Sequence, residues 1–574
     1  MLQKKNGKSV LLALLLTVGI LLAACGGGGG GGGAAETTAA TTTAAATTTA
    51  ASAEDSGGAA SGGEAAAGDP DDWRTPYPET VTVHIVNSEN AGATFQDGQD
   101  IYDNIWTRRW KEKYNVEIVT DWVSSEYETK LNVSIASSQL PDMFWCNNVQ
   151  FQQLMQADLL EDITDDYDKW ASTSLKNIIS RDAEMFETAK KDGKLYGMPR
   201  LHYGYECEPT HLWIRRDWME EAGNPEIKTV DQWEELMRTF KEQHDSPYAM
   251  SMDRDLYPFF ALAYGWHAYP RQPYNRFWID GEDGNIICGY VMEEMKPLLA
   301  SWAKWYKEGL IRQDFATTDA DMMQQDFVNG NVGMCGGANW YCWTWQDVIK
   351  NFGEESFMDA YPIPSIDGQT VNYPIGFIND GYGVVLKGAK HSEVIVKLIN
   401  DYAYVLNEAA LEGAMTPEET VPYAVEQHHV VGPFKILFRT YEDCREVHDA
   451  VATGIEKFST GYALNYYTES MRWVNSRDLT GMGRYAQQAH DKASIYQATF
   501  YFDNGQYIFT KAWGPPPQTE LDNGKILDDI INEGITRIII GEETVDHWDT
   551  VVSNWLSAGG EEMTAEINAI YGGK

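Results

Sequence analysis

Between Val81 and Trp145 the chain alternates strand and helix signals so regularly that few architectures stay open to it. Val81-Thr-Val-His-Ile-Val86 places apolar residues at every second position, the period of a half-buried strand. A polar loop from Asn87 to Asp100 leads into a helix through Trp106 and Trp110, and Val116-Glu-Ile-Val119 reads as a second strand. Tyr127, Leu131 and Ile135 fall at i, i+4 and i+8, one face of a helix that Leu140-Pro141-Asp142 ends. Met143-Phe-Trp145 follows as a third strand. This order predicts an α/β fold with right-handed parallel crossovers.

The N-terminal segment is of another kind. Lys4, Lys5 and Lys8 precede an apolar stretch from Val10 to Leu22, and Leu22-Ala-Ala-Cys25 closes it. The stretch is too short and wrongly flanked for a spanning helix and reads as a secretory leader, residues 1–24. Its ending resembles the bacterial lipobox, which implies cleavage before Cys25 and lipidation of that thiol. Residues 25–72 are nearly all Gly, Ala, Thr, Ser and a few acids, with eight consecutive glycines from Gly26. Such a segment cannot bury enough apolar surface to offset its backbone entropy, and as a flexible coil it spans roughly 35 Å. The expectation is a body, residues 73–574, tethered by lipid to the outer face of the cell membrane.

That body is longer than one core usually supports, so two lobes are expected. The formal net charge is -41, and loss of the three leader lysines makes it -44, which argues against nucleic acid and anionic lipid as partners. Twenty Trp and 31 Tyr suit ligands with flat apolar faces, of which sugars are the commonest. Of seven cysteines six remain after Cys25, too few over this length for a disulfide framework, so mostly free buried thiols are expected with one bridge possible. His428-His429 is the single histidine cluster and lacks the spaced partners of a zinc site. No cofactor or metal is expected.

Longer motifs carry a resemblance. The run from Leu140 to Thr164, with Pro-Asp-Met-Phe-Trp145 near its start, resembles the extracellular solute-binding proteins of carbohydrate ABC importers, the maltodextrin-binder-like superfamily. Gly193-Lys-Leu-Tyr-Gly-Met-Pro199, Leu212-Trp-Ile-Arg-Arg-Asp-Trp-Met219, Phe327-Val-Asn-Gly-Asn-Val-Gly-Met334 and Ile535-Thr-Arg-Ile-Ile-Ile-Gly541 are similar to later segments of that family, in the same order. Thr229 and Gln232 form a capping-box pattern between them, and Gly309 stands where a helix C′ residue belongs. The resemblance implies a two-lobed periplasmic-binding-protein-like fold with a hinge and an interlobe ligand cleft. Lobe 1 is expected at about 78–208 plus a segment after 388, and lobe 2 at about 216–380 plus the C-terminal helices. Crossings are expected near Pro209 to Arg215 and near Gly381 to Lys387.

The same resemblance implies a monomeric receptor that binds a carbohydrate and delivers it to ABC permease subunits driven by a separate ATPase. Carried over to this chain, Trp145 is a ligand-side tryptophan and Asn148 the polar position after it. Trp340, soon after the second-lobe strand, would stack on a sugar ring, and Trp343 stands close behind. Loop positions add Glu89, Asn90, Tyr203, Asp253, Tyr269 and Asp380. Aromatic faces supply the apolar part of such binding, and amides and carboxylates orient hydroxyls.

Enzymatic signatures are weak. No Gly-x-Ser-x-Gly elbow, P-loop or His-Glu-x-x-His helix is present. Gly481-Met-Gly-Arg-Tyr-Ala486 fits a dinucleotide fingerprint by letter but follows no clear strand. Asp280 to Asn285 fails the EF-hand register, because its sixth position is Asn285 where glycine is required. A surface glycoside hydrolase and a binder of peptide or another solute remain the alternatives.

Overall fold

The alternation at the start of the body is borne out by burial: Val81, Val83 and Ile85 point inward while Thr82 and His84 face solvent. The computed structural model describes residues 72–572, apart from 90–92, 97, 202–209, 273–274, 378, 428–429, 437–440 and 515. The leader, Cys25 and the tether, together with Asn90, Tyr203, Pro209 and His428-His429, lie outside the described residues.

Eight strands organise two lobes: β1 (Val81–Ser88), β2 (Val116–Ser124), β3 (Met143–Cys146), β4 (Met198–Leu201), β5 (Thr210–Arg215), β6 (Met334–Ala338), β7 (Met358–Tyr361) and β8 (Asn379–Val385). In the first lobe β1 and β2 pair in parallel, as the strand–helix–strand order predicts. The Asp142 carboxylate accepts the His84 amide at 2.9 Å and ties β3 to β1. The rest of this lobe's pairing is not parallel. β8 arrives from far along the chain and lies between β3 and β4, antiparallel to both. In the second lobe β5 is central, antiparallel to β6 and to β7.

Helices cover these sheets through aromatic faces. On Ile105–Tyr114, Trp106 and Trp110 are buried against each other at 5.6 Å. The helix is pinned by Asp401, which accepts hydrogen bonds from Arg109, Trp110 and Tyr114. On Met295–Lys307, Trp302 and Trp305 do the same in the second lobe at 5.3 Å. Full burial of such an indole contributes about 4–6 kcal/mol of transfer free energy. The Thr229–Gln232 capping box is present at the head of Val230–Gln243, and Gly309 adopts φ +67 one residue past the cap of Met295–Lys307.

The first core gathers residues from Trp73 to Leu201 and takes up the chain again at Phe377 and Tyr382. The second runs from Leu212 to Ile375 and resumes at Tyr501. The return crossing therefore lies between Ile375 and Phe377, before the glycines at 381 and 383. The segment expected at a second hinge is instead the central strand of the first lobe's sheet. A further link is the helix Gly461–Ser476. Its Tyr462, Ala463 and Tyr466 belong to the first core, while Trp473 packs in a third cluster with Trp213 of β5.

Candidate functional site

The ends of β8, β4 and β3 meet where the chain leaves the first lobe. In register, Asn379 of β8 opposes Leu201 of β4, and Gly383 opposes Trp145 of β3. This pairing brings Trp145, Asn148 and Asp380 together from segments more than 230 residues apart. The Trp145 indole N–H donates to the Asp380 carbonyl, and Asn148 Nδ2 donates to the Asn379 carbonyl at 3.4 Å. Gly381 makes the close approach possible. It adopts φ +87, and a Cβ there would lie 2.3 Å from the Cys146 carbonyl oxygen and 2.6 Å from Trp145 Nε1.

Trp145 is held on several sides. Tyr127 tilts against it at 5.4 Å and donates its hydroxyl to the Trp145 carbonyl at 2.8 Å. The Arg200 guanidinium lies over the indole, 5.1 Å from the ring centre. Arg200 is a member of the cluster that sequence reading missed. Its Nη2 donates to the Gly432 carbonyl, and among the described residues its nearest carboxylate oxygen is Asp380 Oδ2 at 3.7 Å. Burial pushes its pKa down. Two buried polar atoms here, Arg200 Nε and Asn148 Oδ1, make no hydrogen bond among the described residues.

On the second lobe Ala338, the last residue of β6, opposes Thr210, the first of β5. Trp340 stands in the short 3-10 turn just beyond and is 39% exposed. It meets Tyr341 edge-on at 4.8 Å, and Tyr341 stacks on Tyr257 at 5.7 Å, so the exposed indole has a rigid base. The two clusters thus stand at strand ends on either side of residues 202–209, one at Leu201 and the other at Thr210.

The other expected residues are placed differently. Trp343 packs on Gly483 and under the Arg484 guanidinium at 5.0 Å. Tyr269 is buried in the second core beside Phe277 at 5.9 Å, and desolvation raises its pKa to about 12. Asp253 is buried and accepts the Tyr257 amide at the head of Tyr257–Leu262, with its pKa raised by desolvation. Glu89 is exposed just past the end of β1. Cys146, Cys288, Cys335, Cys342 and Cys444 are free and buried. Asp280 to Asn285 is the turn of a hairpin in which Asp283 accepts from Asn285, and no group of three His, Cys, Asp or Glu suited to a metal occurs among the described residues. A separate cavity of about 380 Å³ on the first lobe, lined by Trp73, Arg74, Lys169, Trp170 and Tyr404, includes none of the expected residues.

Residues 92–410 match the family model of the bacterial extracellular solute-binding proteins. The chain belongs to that family. Lipoprotein LipO of Bacillus subtilis (strain 168) is 24% identical over 483 residues, covering 80% of this chain and 87% of its own. The polygalacturonan/rhamnogalacturonan-binding protein YtcQ of the same organism is 20% identical over 474 residues, covering 80% and 86%. Among solved structures, the calcium-free alginate-binding protein AlgQ2 superposes with a TM-score of 0.59 at 14% identity, covering 86% of this chain and 98% of its own. The two-lobed solute-binding fold is thereby established, and no helix among the described residues is long and apolar enough to cross a membrane.

Proposed function

We propose that this protein is a lipid-anchored extracellular receptor that captures a carbohydrate, an oligosaccharide in particular, and delivers it to an ABC permease energised by a separate ATPase. In this reading residues 1–24 are the lipoprotein leader, 25–72 the tether from lipidated Cys25, and 73–574 a monomeric bilobal binder without catalytic activity. The observation that carries it is the pair of clusters at strand ends on either side of residues 202–209. Trp145, Asn148 and Asp380 stand at the Leu201 end of the first lobe, and Trp340 stands exposed at the Thr210 end of the second. A ligand touching both lobes favours their closed arrangement by its differential affinity, which is how a permease distinguishes loaded from empty receptor. The polysaccharide specificity in the name of YtcQ supports a sugar ligand, and the name of LipO supports the anchor.

The test is a thermal-shift screen of residues 69–574 against oligosaccharides and peptides. A glycan that raises the melting temperature with the logarithm of its concentration and is recovered intact is the expected result. A shift with peptides alone would overturn the ligand class, and a glycan cleaved during the assay would overturn the non-catalytic reading.

A further inference from the structure

We propose that Arg200 receives a carboxylate group of the ligand, so that the captured sugar is an acidic, uronate-bearing saccharide; this rests on the carbohydrate reading above. The argument starts from how this chain treats its other buried arginines. Arg109, Arg215, Arg276, Arg312 and Arg484 have side chains 14% exposed or less, and each has a carboxylate oxygen within 3.0 Å. Arg200 is buried to the same degree, with its side chain 12% exposed, yet among the described residues its nearest carboxylate oxygen is 3.7 Å away. That distance is outside hydrogen-bond range. A guanidinium removed from water without a close anion is costly, and an anion that binds it recovers that cost as affinity.

The surroundings fit a carboxylate-bearing sugar ring. Arg200 lies over Trp145, so charge and apolar surface are presented side by side. Asn148 Oδ1 is a buried acceptor that makes no hydrogen bond among the described residues and is suited to a hydroxyl. Asp380 is the group an entering carboxylate would displace. Its side chain is 37% exposed, so it can turn toward solvent without being buried unpaired. The chain's large negative charge does not forbid an anionic ligand, because exposed charges beyond about 8 Å are screened at physiological ionic strength while a buried one is not.

Contrast the direction of pKa shifts at Arg109 and Arg276, which their carboxylates raise, with that at Arg200, which burial lowers. The lowered value at Arg200 accords with the longer distance to its carboxylate.

The experiment is calorimetric titration of the full body with matched oligosaccharide pairs that differ only in C6: galacturonate against galactose, glucuronate against glucose, mannuronate against mannose. The expected result is that an acidic member binds roughly 10- to 100-fold tighter than its neutral twin, the range of a charge-assisted hydrogen bond. Arg200→Met should abolish that preference and Arg200→Lys should restore part of it. Neutral members binding as tightly as acidic ones would overturn the inference while leaving the sugar receptor intact. An acidic preference that survives in a folded Arg200→Met protein would overturn it equally. Silence from every pair would contradict the carbohydrate reading itself. The comparison within each pair uses wild-type protein, so it stands even if the variants fold poorly.

Discussion

Acid should destabilise this protein through histidines that the fold keeps neutral, and His490 isolates the effect. Its ring stacks on Tyr485 at 4.9 Å, meets Phe357 edge-on at 5.4 Å, and accepts the Lys492 amide at Nδ1. Burial lowers its pKa from 6.5 to about 4. A folded value below the unfolded one means that the unfolded chain binds the proton first. The stabilisation is therefore complete above the unfolded value of 6.5 and is lost as pH falls toward 4. At 1.36 kcal/mol per pKa unit, His490 withdraws about 2 kcal/mol between pH 7 and 5. His211, which burial lowers to about 3, withdraws a similar amount over the same window. Carboxyls that burial raises, Asp253 among them, act in the opposite sense, so the quantity to read is a difference between variants. Urea unfolding of wild type and His490→Gln at pH 7 and pH 5 supplies it. Wild type should lose about 2 kcal/mol more than the variant between the two pH values. Equal losses would refute the reasoning, because they would mean the folded protein already tolerates charge at that ring.

Three further outcomes follow from the packing. Gly381→Ala places a methyl against the Cys146 carbonyl and Trp145 at positive φ, and should cost about 2 kcal/mol or more in denaturant unfolding; an unchanged midpoint would contradict the described strand. Arg484→Met breaks the buried bond to Glu469 at 3.0 Å and should cost about 3–5 kcal/mol, detected as a lowered melting temperature, whereas a neutral result would mean Glu469 finds water. The five buried thiols, each with a pKa raised by desolvation, should resist a thiol reagent in native protein and react on unfolding; rapid native labelling would place them at the surface.

What was legible in the sequence is what short-range chemistry decides. The β1 alternation, the Thr229–Gln232 box and the Gly309 terminus each depend on residues within a turn or two. The two-lobed class followed from motifs in colinear order. Position in three dimensions did not. Gly381 and Gly383 read as a hinge, but they are needed because Trp145 and the Pro433 carbonyl approach β8 too closely for a side chain. That approach depends on antiparallel pairing between strands more than 230 residues apart, which no local pattern encodes. Asp253 and Tyr269 were drawn from loop positions, and loop position does not reveal burial. Arg200 carried no signal as a single arginine after Pro199; only the strand pairing shows how incompletely it is neutralised. The helix Gly461–Ser476 was equally silent about joining two cores, since its apolar residues look like any amphipathic face.

The central claim, a sugar held by both lobes at once, is tested most directly by titrating the best glycan from the screen into Asn148→Ala and Trp340→Ala proteins. One side chain is half-buried on the first lobe and the other is 39% exposed on the second, so neither change should unfold the body. The account predicts that each variant loses about tenfold in affinity, the scale of one ligand hydrogen bond or one well-placed aromatic contact. Full affinity in either folded variant would contradict it, because the ligand would then rest on one lobe alone.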